Sequence, residues 1–223
     1  MPINEKKYRE IIDLLAPNNI HLVAVSKVQA ISDIKKLYDL GQRDFGENYV
    51  QELVEKQEAL PKDIRWHFIG HLQSNKVKFI SPFIHLVHGV DSLKLLVEIN
   101  KQAKKVQRTI GCLLQVHIAQ EETKFGMDED EVKSVVHAVT VDASLKNVSI
   151  QGLMGMASFS DDEEKVRNEM RYLKLLFTTY SRVVASGFDF KILSMGMSGD
   201  YKIAIEEGSN MVRIGSLLFG ARF

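Results

Sequence analysis

Three stretches carry residues that could do chemistry, and they lie far apart in the chain. The first is Val23-Ala24-Val25-Ser26, which rises into Lys27 before the sequence turns polar. Small and β-branched residues in a run read as a buried strand, and lysine is seldom buried without a partner. Lys27 therefore either emerges into solvent where the strand stops or is a desolvated amine suited to condensing with a carbonyl. The second stretch is Ser194-Met195-Gly196-Met197-Ser198-Gly199-Asp200, and the third is Arg213-Ile214-Gly215-Ser216. Glycine lets backbone come close to an anion. Ser198, Gly199, Gly215 and Ser216 read together as a phosphate cradle, and taken singly as two glycine turns with solvated serines.

The elements that must position these residues alternate. Tyr8, Ile11, Ile12 and Leu15 recur at helical spacing and stop at Pro17, so a helix precedes the first strand, His21 to Ser26. Ser32 is placed to cap a helix carrying Ile34, Leu37 and Tyr38. Further strands are predicted at 43–48, 66–70, 84–88, 110–118, 149–156, 190–193 and 211–214. Amphipathic helices fall between them. One has a capping-box pattern at Asp128 and Glu131, and one runs from the acidic turn Asp161-Asp162-Glu163-Glu164 to near Gly187. Eight apolar strands alternating with helices, with no linker, argue for a single α/β domain over residues 1–223, a closed (β/α)8 TIM barrel with an extra N-terminal helix. The glycine fingerprint of a dinucleotide fold is missing after the first strand.

Composition narrows the function. The net charge is zero, so nothing points to nucleic acid. Cys112 is the single cysteine, which excludes an internal disulfide and a cysteine zinc cluster; it reads as an inert core thiol. Neither a membrane-length apolar stretch nor a signal-peptide core is found, and a cytoplasmic location is expected.

Active faces of such barrels are built from the carboxyl ends of the strands, with phosphate often held after strands seven and eight. Here those ends carry Lys27, Glu47-Asn48, His67 to His71, His88, Lys124-Phe125-Gly126, Met154 to Ser158, Ser194 to Ser198 and Arg213 to Ser216. A Schiff-base lysine facing a phosphate cradle fits pyridoxal 5'-phosphate (PLP), with Arg213 near the pyridine nitrogen; an ion pair at the barrel rim is the alternative for Arg213.

The combination of Ala24-Val25-Ser26-Lys27, Phe45-Gly46-Glu47-Asn48-Tyr49-Val50-Gln51-Glu52, Trp66 to Lys76, Gly152-Leu153-Met154, Ser194 to Ser198 and Val212-Arg213-Ile214-Gly215 spans nearly the whole chain. It resembles the YggS/PROSC family of PLP homeostasis proteins, fold-type III PLP barrels like the N-terminal domain of bacterial alanine racemase. The resemblance implies that Lys27 is the PLP lysine, that the last two loops hold the phosphate, and that Arg213 faces the ring nitrogen. The family is regarded as binding PLP without a robust reaction of its own. The expected cofactor site is Lys27, Asn48, Met154, Ser198, Gly199, Arg213, Gly215 and Ser216. Asn48 suits either the phenolic oxygen of PLP or a loop.

Weaker candidates remain. His67 and His71 have a metal-like spacing, but Gly70 breaks the helix such a pair would need, so no metal is expected. Lys124 is a second amine on the same face.

The leading expectation is a non-catalytic carrier that buffers, stores or delivers PLP, with apo forms of PLP-dependent enzymes as possible recipients, and a monomer. The runner-up is an amino-acid racemase. A racemase needs an acid–base group on each face of the substrate carbanion. Lys27 supplies one, and the sequence ends at Phe223, which leaves no added domain to bring a tyrosine. Tyr201 is the one tyrosine placed near the phosphate loops. A third reading is a Schiff-base aldolase acting on a phosphosugar without PLP.

Overall fold

The computed structural model describes residues 3–119 and 125–220. Helix α1 (Glu5–Leu15) precedes β1 (His21–Val25), and the chain then alternates through α2 (Ile31–Asp39), β2 (Asp44–Glu47), α3 (Val50–Ala59), β3 (Arg65–Phe68), α4 (Val77–Ile80), β4 (Leu86–Val90) and α5 (Leu93–Lys105). The second half follows with β5 (Ile110–Val116), α6 (Glu129–Val141), β6 (Val148–Gly155), α7 (Glu163–Tyr180), β7 (Phe188–Ser194), α8 (Tyr201–Glu206), β8 (Met211–Ile214) and α9 (Ser216–Phe219). All eight strands are parallel and close into a barrel in sequence order, β8 pairing back onto β1 through Val23 opposite Arg213 and Ala24 opposite Ile214.

Two apolar cores follow from strand alternation. Side chains facing outward, such as Ala24, Phe45, Trp66 and Phe68, pack against the helices in one continuous core. Inward-facing Val23, Leu86, Leu113, Met154 and Met211 form a small separate cluster. Interleaved with it on the inner face are buried polar groups, among them His67, His88, Ser194 and Arg213. Filling the lumen keeps it a packed core and leaves the strand ends as the place for a site.

The sequence reading holds for the order of elements and shifts at several ends. Asp128 and Glu131 do form a reciprocal capping box, and Asp162 caps α7 through the amides of Glu164 and Lys165. Ser32 is not a cap. The N-cap of α2 is Ala30, with no side-chain bond, and Asp33 in the first turn supplies the negative charge the helix dipole favours. Helix α7 stops at Tyr180, short of Gly187, where the hydroxyls of Thr178, Thr179 and Ser181 bond back to carbonyls of the last turns. Strand β4 runs on to Val90, so His88 lies inside it and not at its end.

Candidate functional site

Lys27 sits two residues past the end of β1, partly buried, and its flanks are fixed by a charged network. Lys56 on α3 is 3% exposed and donates to Ser26 O (2.6 Å), Glu47 Oε1 (2.8 Å) and Glu52 Oε1 (2.6 Å). Ser26 Oγ donates to the same Glu47 oxygen at 2.6 Å, and the Val28 amide donates to Glu52 Oε1 at 2.5 Å. The peptide units on both sides of Lys27 are thus anchored. Val28 has φ 62, a left-handed conformation costly for a β-branched residue, and the bond to Glu52 helps hold it there. Burial pushes the Glu47 carboxyl up, with Lys56 and Ser26 opposing that shift, and its Oε2 is buried with no partner among the described residues.

The loops after β7 and β8 meet. Ser198 Oγ accepts from the Gly215 amide at 3.3 Å, and the Arg213 amide donates to Gly196 O at 2.9 Å. Gly196 has φ +95 and a side chain there would lie 2.5 Å from Ala204 Cβ, so the tight turn needs glycine. Among the described residues no partner is found for the amides of Ser198, Gly199, Ser216 and Leu217. Donors left open on two loops stitched together make a cradle for an anion. Gly215 does something further. A Cβ there would come within 3.2 Å of Val25 O, so its bareness lets β8 lie against the end of β1, beside Lys27.

Arg213 is the buried cation of the site. Its Nη1 donates to Ser194 Oγ at 2.6 Å and its Nη2 to Gly155 O at 2.9 Å, and among the described residues no carboxylate pairs with it. Burial lowers its pKa to about 10, with Asp200 opposing, so it stays charged at neutral pH. Asn48 follows β2 and carries a buried Oδ1 with no partner among the described residues. Met154 is sealed in the inner apolar cluster, in register with Ser194. Lys124 lies outside the described residues.

The histidines separate. His71 is on the rim, bonded to Asp91 at 2.8 Å and stacked on Phe125 with centroids 4.4 Å apart. His67 is inside the barrel toward its base, with Nε2 3.0 Å from Asp44 Oδ1 and Nδ1 2.9 Å from His88 Nε2. Asp44, His67 and His85 bring ligand atoms within 4.8 Å of one another. Arg65 engages both Asp44 oxygens, at 2.6 and 2.5 Å, and occupies that carboxylate with a cation. Burial opposes the charge on Asp44, but the bonds from Arg65 and His67 outweigh it and hold the carboxyl well below the usual range. Tyr201 is buried on α8 in the apolar core between the strands and the helices. Cys112 is buried, and burial pushes its thiol far up, as an inert core thiol requires.

The structure therefore assembles Lys27, Ser198, Gly199, Arg213, Gly215 and Ser216 from the neighbouring ends of β1, β7 and β8, with Asn48 just past β2, the other neighbour of β1. Sequence reasoning gave no role to Lys56, to Ser26 and Glu52 as its partners, or to Ser194 as the partner of Arg213 and His88 as the partner of Ser194. Lys56 alone had a signal, since it follows Val50 and Leu53 on the buried stripe of α3.

These residues fit PLP on this chain's own features: an anchored lysine, open amides for a phosphate and a buried guanidinium with which, among the described residues, no carboxylate pairs. Barrels of this build occur in the alanine racemases. One from Clostridium difficile 630 superimposes with a TM-score of 0.77 at 16% identity, over 98% of this chain and 56% of that one, a likeness of fold. The model of the alanine racemase N-terminal domain family matches residues 5–223. Closer in sequence, a pyridoxal phosphate homeostasis protein from Synechocystis sp. is 39% identical over 217 residues, 96% of this chain and 97% of its own length. One from Escherichia coli (strain K12) is 36% identical over 211 residues, 93% and 88% of the two chains. PipY of Synechococcus elongatus PCC7942, solved without PLP, superimposes with a TM-score of 0.88 at 31% identity over 96% of this chain and 99% of its own. Its PLP-bound form gives 0.85 at 30% over the same shares. The chain belongs to the pyridoxal phosphate homeostasis protein family.

Proposed function

We propose that this chain binds PLP and serves to hold, buffer or hand on the cofactor, with Lys27 as the amine that takes its aldehyde as a Schiff base. The observation that carries the reading is the pairing of an anchored lysine just past β1 with open amides on the loops after β7 and β8. Ser198, Gly199, Gly215 and Ser216 would hold the phosphate, Asn48 the phenolic oxygen and Arg213 the ring nitrogen, with Met154 packed beneath. Bound PLP would supply an aldehyde for amines and a ring that draws electrons from them.

The same residues argue against fast turnover. Arg213 can only donate, so it disfavours protonation of a ring nitrogen facing it and weakens the ring as an electron sink. Tyr201, packed in the apolar core between the strands and the helices, is a poor second base. The reading is of a carrier, with apo forms of PLP-dependent enzymes as recipients and a monomeric, cytoplasmic state; no helix of the described residues is long and apolar enough to cross a membrane.

The test is an absorbance titration with PLP, then borohydride reduction and peptide mapping. Label on Lys27 supports the reading, and label mainly on another lysine overturns it. Gly215→Val should weaken PLP more than unphosphorylated pyridoxal; equal losses would count against a phosphate cradle. Chiral analysis after incubation with common L-amino acids should find no D-isomer forming at ordinary enzyme rates, about 1–1000 per second. Rapid Lys27-dependent racemisation would restore the racemase.

A further inference from the structure

A line of buried polar side chains runs through the barrel wall to wall. Arg213 on β8 meets Ser194 on β7 at 2.6 Å, Ser194 Oγ lies 3.2 Å from His88 Nδ1 on β4, His88 Nε2 lies 2.9 Å from His67 Nδ1 on β3, and His67 Nε2 lies 3.0 Å from Asp44 on β2. Its ends fix its direction. Arginine can only donate, and an ionised carboxylate can only accept. Ser194 Oγ therefore accepts from Arg213 and donates its own proton to His88 Nδ1. His88 then carries its proton on Nε2 and gives it to His67 Nδ1, which leaves the His67 proton on Nε2, facing Asp44. One arrangement satisfies every atom with both imidazoles neutral. Reversing either tautomer would aim donors at each other or strip the Ser194 hydroxyl of its acceptor.

We propose that Ser194 and His88 are positioning residues for Arg213, and that Asp44, at the far end of the line, sets the direction of the hydrogen bonds that hold the guanidinium in place. The carboxylate that would ordinarily steady a buried arginine is replaced by a neutral hydroxyl whose rotor is locked from the base of the barrel. A carboxylate at that position would cancel the cation the site presents to the cofactor; the relay leaves the charge whole. His85, 5.3 Å from His67 by ring centroids, and Arg65 on Asp44 flank the far end. The proposal rests on the PLP reading for its consequence but not for its geometry.

Two measurements separate the two. In the ligand-free protein at pH 8, ¹⁵N-correlated imidazole spectra should show His67 and His88 both as the Nε2–H tautomer. A proton on Nδ1 of either overturns the relay whatever the protein binds. In the PLP-loaded protein, Ser194→Ala should weaken PLP about tenfold and shift its visible band, as loss of one hydrogen bond to a charged group does. Ser194→Thr, which keeps the hydroxyl, should restore both. His88→Leu should act in the same direction by about threefold, and should add less than about twofold on a Ser194→Ala background, because its effect passes through that hydroxyl. Folded Ser194→Ala protein with wild-type affinity and spectrum overturns the proposal, as does a full threefold effect of His88→Leu on that background. Wild-type protein that takes up no PLP would refute the PLP reading, leaving the tautomers to decide the relay.

Discussion

Lys27, just past the end of β1, and Arg213, on the neighbouring β8, are held in opposite ways. Around Lys27 the protein spends charge: Lys56, Glu47 and Glu52 form a buried ionic knot whose bonds go to the backbone on either side of the lysine. Around Arg213 it spends none: a serine hydroxyl and a glycine carbonyl accept from the guanidinium, and among the described residues no carboxylate does. An amine that must lose its proton to react is best fixed through its main chain, with the nearby carboxylates bonded to another cation. An arginine never loses its proton under working conditions. It can be held by its head group, provided its partners are neutral and its charge is left whole.

The comparison breaks most completely at the lysine. Lys27→Ala should abolish the visible absorbance of a covalently held PLP while leaving the fold intact, checked by absorbance beside circular dichroism. Next comes the ionic knot. Lys56→Met leaves Glu47 buried and unpaired and should cost about 3–5 kcal/mol in urea unfolding. Ser194→Ala, on the neutral side, should cost only about 1–3 kcal/mol. A Lys56→Met cost below that of Ser194→Ala would reverse the contrast.

Acid should sharpen it further. Burial above all holds His88 well below 6.5. It is neutral in the folded protein, whereas in the unfolded chain it takes up a proton near 6.5. The unfolded state therefore binds more protons below that pH, and stability should fall as the pH drops below about 6.5, by up to about 1.4 kcal/mol per pH unit. Asp44, whose folded carboxyl is held low, adds a further loss below about pH 3.8. His88→Leu should make the pH 4–6.5 slope shallower in urea unfolding; an unchanged slope would remove His88 from the account. Smallest of all is Gly199→Ala. A Cβ at Gly199 meets nothing within 4 Å, and the amide is kept, so stability should stay within about 0.5 kcal/mol. A marked loss of PLP affinity would show that the cradle closes more tightly than its backbone suggests.

The fold was legible because strand and helix periods alternate cleanly and the chemistry-bearing residues cluster where strands run out. Lys27, Ser198, Gly215 and Arg213 were readable because each sits within a few residues of a strand end, so a local pattern locates them. The relay was not. His88 and Ser194 are 106 residues apart and meet only because barrel closure turns both inward. His88 was moreover placed at a strand end, since Gly89 hid the continuation of β4 to Val90. Lys56 could have been read from its place on a buried helical stripe, but its partners Ser26 and Glu47 come from two other elements that only the fold brings together.

The seam between β1 and β8 has a consequence for the order in which the protein comes into being. Lys27 leaves the ribosome long before Arg213, Gly215 and Ser216, and joining their strands is the longest loop closure in the barrel. On the proposed reading, a nascent or partly opened chain would have the lysine without the cradle and could not retain the cofactor by both ends. PLP would then bind the closed barrel and not its precursors, adding about 2.7 kcal/mol at a hundredfold excess over its dissociation constant. The cofactor would thus act as a latch on the seam.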